Sequence, residues 1–198
     1  MRREGRPRIL LLLGLFLFAA VVAADGPPAS AVESVPALHG LQVVSDPAGG
    51  LRATASLVFP VPPGIVLSVL TDYRKWPELF GVRMRLAGME ERQGRVVTDL
   101  YIEHALMPGE RRLVCESMPL PGGGLVTDLK SGDFKRYHRV WRLNAASDGA
   151  HTQAEFELIV EVETIVPDWM IAMAMRRELQ AHFRIVNERA VERARRER

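Results

Sequence analysis

The sequence predicts an α+β fold, a curved seven-stranded antiparallel sheet wrapped around one long C-terminal helix. Three observations point there. From Leu51 onward, one strand pattern is followed by a short helix, six more strand-like stretches and a final helix of about 30 residues. The strand stretches alternate apolar and polar residues, which gives one wet face and one covered face, hence antiparallel pairing. The last segment switches to helical spacing with an apolar stripe suited to cover that face. A sheet gripping such a helix leaves an apolar space between them, a natural cavity for a small molecule.

The chain opens on a different composition. Met1 to Arg8 is basic, Ile9 to Ala24 is apolar and uncharged, and Val22-Ala23-Ala24 puts small residues before Asp25. Residues 1–24 therefore read as a secretory signal peptide, with Ala29-Ser30-Ala31 as a second cleavage site. An exported, periplasmic location is expected. The alternative is an uncleaved membrane anchor, although the 16-residue apolar run is shorter than the ~20 residues a bilayer asks for. No cysteine stands directly after the apolar run, so no lipoprotein anchor is expected. Residues 25–40, rich in Pro, Gly, Ala and Ser, read as a linker, and 41–198 as a single domain.

Of 26 basic and 24 acidic residues, the signal segment holds Arg2, Arg3, Arg6 and Arg8 against Glu4, which leaves 22 and 23. The mature chain is thus close to neutral, and no nucleic-acid partner is expected. Cys115 is the only cysteine, so no internal disulfide forms; it shares a strand face with Leu113 and reads as a buried small hydrophobe.

Each element follows from its pattern. Leu41 to Val44 is a candidate short strand, and Asp46-Pro47-Ala48-Gly49-Gly50 a turn. Leu51, Ala53, Ala55, Leu57 and Phe59 share one face of the first full strand. Pro60, Pro62 and Pro63 end it and open a helix, where Val66, Val69, Leu70 and Tyr73 line one side. Trp76 to Phe80 reads as a further helical turn or a lid-like loop. Strands then alternate around Met84 and Leu86; Thr98, Leu100, Ile102, His104 and Leu106; Leu113 and Cys115; Leu125, Thr127 and Leu129; Tyr137, Trp141 and Leu143; and Ala154, Phe156, Leu158 and Val160. Gln93-Gly94, Pro108-Gly109, Pro121 to Gly124 and Ser147-Asp148-Gly149 supply the turns. After Pro167, Ile171, Met175, Leu179, His182, Phe183, Val186 and Ala190 fall on one helical face.

The segment Val69-Leu70-Thr71-Asp72-Tyr73-Arg74-Lys75-Trp76-Pro77-Glu78 resembles a helix motif of the START-like, helix-grip (SRPBCC) superfamily. Within it, the nearest resemblance is to the polyketide cyclase/dehydrase and lipid-transport group, which includes coenzyme Q-binding START proteins. The strand Tyr137 to Leu143 and the passage Phe156 to Trp169 extend the likeness, which covers about Leu41 to Arg189. The resemblance implies a hydrophobic cavity between sheet and final helix, taking a lipid, quinone, sterol or polyketide. It implies no shared catalytic set, and the export signal departs from the cytoplasmic or organellar members.

The residues expected to line that cavity are Leu100, Ile102, His104, Leu113, Leu129, Arg139, Trp141, Phe156 and Leu158 from the sheet, and Met175, Leu179, His182, Phe183 and Val186 from the helix. His104 and His182 are the two histidines on inward patterns, and each reads more readily as a satisfied core residue than as a ligand contact. No His or Cys spacing suits a metal, and no cofactor is expected. Asp72 belongs to the motif and reads as structural. Arg139 is the sharpest polar signal, because it shares the parity of Tyr137, Trp141 and Leu143 and so turns toward the covered face. A buried Arg requires a partner, either an internal carboxylate or the head group of a ligand. The glycine run before Leu125 lacks the strand-to-helix context of a phosphate loop and reads as a hairpin. Arg193, Arg195, Arg196 and Arg198 alternate with Glu192 and Glu197, a solvated helix end with weak attraction for anionic lipid.

Together these features predict a protein that binds or carries a hydrophobic small molecule or lipid. A cyclase- or hydrolase-like enzyme with His104 or Asp72 as acid/base is the first alternative; an interaction module with a filled core is the second.

Overall fold

The computed structural model describes residues 37–197. Its strands are β1 (Ala37–Ser45), β2 (Leu51–Phe59), β3 (Arg83–Arg92), β4 (Arg95–His104), β5 (Met107–Pro119), β6 (Gly124–Gly132), β7 (Phe134–Ala145) and β8 (Thr152–Val162). They form one sheet in the order β1-β2-β8-β7-β6-β5-β4-β3, with every neighbouring pair antiparallel. Helix α1 (Pro63–Leu70) and a 3-10 helix (Tyr73–Leu79) connect β2 to β3, and α2 (Asp168–Arg196) follows β8. The proposed signal peptide and both cleavage sites lie outside the described residues, as does most of the linker. Among the described residues, no helix is long and apolar enough to cross a membrane.

Two details differ from the sequence reading. The sheet has eight strands rather than seven, because β1 pairs with β2 along its length and begins at Ala37, before the domain start expected at position 41. A bulge between His39 and Gln42, with Gly40 at φ 66°, breaks the alternation that would have announced this strand. The second difference is a turn. Pro108 and Gly109 belong to β5, and the chain reverses at Ala105-Leu106, so Leu106 does not extend β4. The His104 ring closes that turn by accepting the Leu106 N–H at Nδ1, 3.1 Å away.

Elsewhere the patterns fold as the chemistry requires. Leu51, Ala53, Ala55, Leu57 and Phe59 are all buried on the inner face of β2. Val66, Val69 and Leu70 bury one side of α1. The Trp76 indole Nε1–H donates to the Leu70 carbonyl at 2.8 Å, which folds the 3-10 helix back onto α1. Asp72 pairs with Arg193 at 3.0 Å while Arg193 also donates to the Ser68 carbonyl, a strut between the end of α1 and α2. The backbone of α2 runs nearest α1, β1, β2 and the 3-10 helix, and Arg176 donates to the Leu41 carbonyl at 2.8 Å. Side chains of α2 must reach the rest of the inner face across a wider gap.

Candidate functional site

That gap is closed by large rings in one part and hollow in another. The Trp141 ring lies 4.9 Å from Phe156 and 5.6 Å from Phe183, with Phe156 and Phe183 5.0 Å apart, centroid to centroid. Phe59 joins them at 6.2 Å from Trp141. Val186 is fully buried in the same core, and Leu129 packs against its edge. Trp141, Phe156, His182, Phe183, Val186 and Leu129, all expected to line the cavity, are thus placed in or against packed core and line neither of the two apolar pockets between sheet and α2.

The hollow part is a cavity of about 140 Å³ between the sheet and α2. Leu100, Ile102, Leu113, Arg139 and Leu158 line it from the sheet, and Met175 and Leu179 from α2. Trp76, Phe80, Val82, Met84, Cys115 and Tyr137 also form the wall and were missed as lining residues. Of these, Trp76 and Phe80 had their signal in the lid-like segment, Tyr137 and Cys115 on inward parities. A second apolar pocket of about 160 Å³ adjoins it, with His104, Phe134, Val160, Val162 and Ile171 in its wall. Met175 and Glu178 line both spaces and stand between them.

Arg139 is the charged group of the inner cavity's sheet wall, and only 4% of it is exposed. Its guanidinium carbon lies 4.5 Å from the Trp76 ring centre and 5.8 Å from that of Phe80, two cation–π contacts. Nη2 reaches the Thr127 hydroxyl only at 3.5 Å, and Nε is buried with no hydrogen-bond partner. Thr127 is itself engaged with the Ser117 hydroxyl at 2.9 Å. No described carboxylate forms an ion pair with Arg139. The register Ser117–Thr127–Arg139 sets these three side chains in one row across β5, β6 and β7.

Burial governs the neighbouring titratable groups. His182 donates from Nδ1 to the Leu79 carbonyl at 2.7 Å and stacks on Phe80 at 4.3 Å. Burial, reinforced by the Arg139 charge, pulls its pKa down to about 3, so the ring is neutral. Burial pushes the Tyr137 phenol and the Cys115 thiol each up to about 12, with Arg139 opposing both shifts. Asp72 is tied to Arg193, and His104 to its own turn. Among the described residues no group of His, Cys, Asp and Glu is placed to hold a metal ion. A separate cleft of about 100 Å³ by the end of α2 is lined by Asp72, Glu78, Arg189, Glu192, Arg193 and Arg196, whose charges pair with one another.

No protein-family model matches the sequence, and no curated protein matches it. Solved structures do match in fold. A START superfamily protein from Mycobacterium smegmatis superposes with a TM-score of 0.57 at 14% identity, over 71% of this chain and 97% of that one. The Zhui aromatase/cyclase from Streptomyces sp. R1128 gives 0.55 at 14% identity, over 74% and 95%. The lipid transfer and protein localization domain of human StarD13 gives 0.53 at 14% identity, over 76% and 88%. At such identities the likeness is one of fold, and the fold is the START-like helix grip.

Proposed function

We propose that this START-like, helix-grip chain is an exported carrier that binds a hydrophobic small molecule or lipid between the sheet and α2. The observation that carries the proposal is the inner cavity, walled by apolar residues from both elements although the same interface is tightly packed around Trp141. Apolar burial supplies affinity at about 25 cal/mol per Å². Fold relatives named for lipid transfer and for aromatase/cyclase activity support a ligand in this space. Binding is preferred to proton-transfer chemistry because the cavity's Tyr137 and Cys115 are both held protonated and Asp72 is committed to a strut. Exposed Ile165, Trp169 and Met173, in the β8–α2 connection and the start of α2, offer an apolar edge beside the outer pocket where a membrane could deliver or accept the ligand. The C-terminal arginines suit that role less, since Arg193 and Arg196 are engaged in ion pairs.

The test uses mature protein recovered from the exported fraction, whose N-terminus is expected near Asp25 or Val32. Native mass spectrometry should show a co-purifying hydrophobic compound, and the protein should take up the neutral probe N-phenyl-1-naphthylamine. Leu179→Trp should block uptake while costing less than the ~1–3 kcal/mol of an overpacked core. A large stability loss in that variant, with wild-type protein that takes up no probe, would favour a filled interaction module. Intact chain starting at Met1 in the cytoplasm would overturn the export reading.

A further inference from the structure

We propose that Arg139 is a ligand-binding residue and that the ligand is an anionic amphiphile, with an oxyanion head at the guanidinium and an apolar tail directed past Met175. This inference rests on the carrier reading and specifies its ligand class. A guanidinium cannot shed its charge, so burial must be offset by a partner. Each candidate partner within the protein falls short. Thr127 offers one marginal contact at 3.5 Å, and Nε has none. Trp76 and Phe80 cover the cation without neutralising it. Glu178, the one carboxylate in the cavity lining, reaches toward Gly81 instead, where an added Cβ would stand 2.8 Å from its Oε2. The Arg139 charge acts on Tyr73, Tyr137, Cys115 and His182, and none of these four supplies an anion.

The donors left over match an oxyanion. Nε–H and an Nη2–H form one edge of the guanidinium fork, the edge a carboxylate or phosphate accepts from in bidentate fashion. Dry apolar walls strengthen that pairing relative to water. Size limits the rest of the ligand. An inner cavity of about 140 Å³ is near the volume that accommodates a benzene-sized body, so a longer tail needs the outer pocket as well. Met175, flexible and shared by both walls, is the side chain a tail must displace.

The experiment measures displacement of N-phenyl-1-naphthylamine by decanoate, decyl phosphate, decanol and methyl decanoate, at a pH where decanoate is ionised. Wild-type protein should bind at least one anion about tenfold or more tighter than the neutral alcohol and ester. A preference for decanoate assigns a fatty or isoprenoid acid; a preference for decyl phosphate assigns a lipid phosphate. In Arg139→Met the anion advantage should collapse to about twofold or less while decanol binding persists, and Arg139→Lys should retain part of it. Retained decanol binding also shows that each variant is folded. Wild-type protein that binds all four compounds equally overturns the inference and leaves the carrier reading standing. Wild-type protein that binds none of them, and no probe, overturns both.

Discussion

The Arg139 guanidinium carbon stands 4.5 Å from the centre of the Trp76 ring, so a central strand and the 3-10 helix meet through one cation–π contact. Trp76 is fixed from behind by its hydrogen bond to the Leu70 carbonyl. The segment between α1 and β3 therefore both closes the cavity and holds its cation in place.

Trp141→Ala should destabilise the fold by ~3–5 kcal/mol, since its ring is fully buried against Phe59, Phe156 and Phe183. Met175→Leu, facing hollow space, should cost less than ~1.5 kcal/mol. Urea unfolding of the two variants compares the packed and hollow parts of the same interface directly.

Gly124→Ala tests the β5–β6 hairpin. Gly124 has φ +118°, and an added Cβ would meet the Trp141 carbonyl oxygen at 1.9 Å. The expected loss is well above ~1 kcal/mol, because both backbone strain and a clash with backbone oppose the substitution. Gly122→Ala, at φ +92° with nothing within 4 Å, should cost less. Equal midpoints in urea would contradict the hairpin geometry.

Stability should fall as pH drops through the range between about 6.5 and about 3. The unfolded His182 takes up a proton near its ordinary value of 6.5, whereas the folded ring resists down to about 3. Its contribution is therefore fully present above 6.5 and lost toward 3, with a slope of up to ~1.4 kcal/mol per pH unit. His182→Asn keeps an amide donor for the Leu79 carbonyl and should flatten that part of the stability–pH curve. An unchanged slope would show that His182 titrates normally in the folded state.

Cys115 should be nearly inert in the folded protein. Its pKa of about 12 leaves far less thiolate than the ordinary thiol value allows, and the residue is 1% exposed. At pH 8 a disulfide-exchange reagent should react on the order of a thousandfold more slowly than with urea-unfolded chain. Comparable rates in the two states would mean that the cavity wall opens freely.

The layout was legible in the chain alone: period-2 alternation announced seven of the strands, helical spacing announced α2, and the inward parity of residue 139 announced a buried cation. These are local properties of a backbone with fixed repeat, so one chain suffices to read them. The strand β1 was only partly legible because its bulge scrambles the repeat, and the Ala105-Leu106 turn because Pro108-Gly109 carried the stronger local signal. Which inward residues touch one another could be read only from the folded chain. Phe156 and Leu158 share a parity on β8, yet Phe156 packs into the aromatic cluster and Leu158 faces the cavity. The difference depends on how far α2 stands from the sheet at each point and on which side chains cross that gap. Arg139 shows the same division: its burial was written in the alternation of β7, but the absence of a described carboxylate partner emerged only when strands and helices far apart in sequence were brought around it.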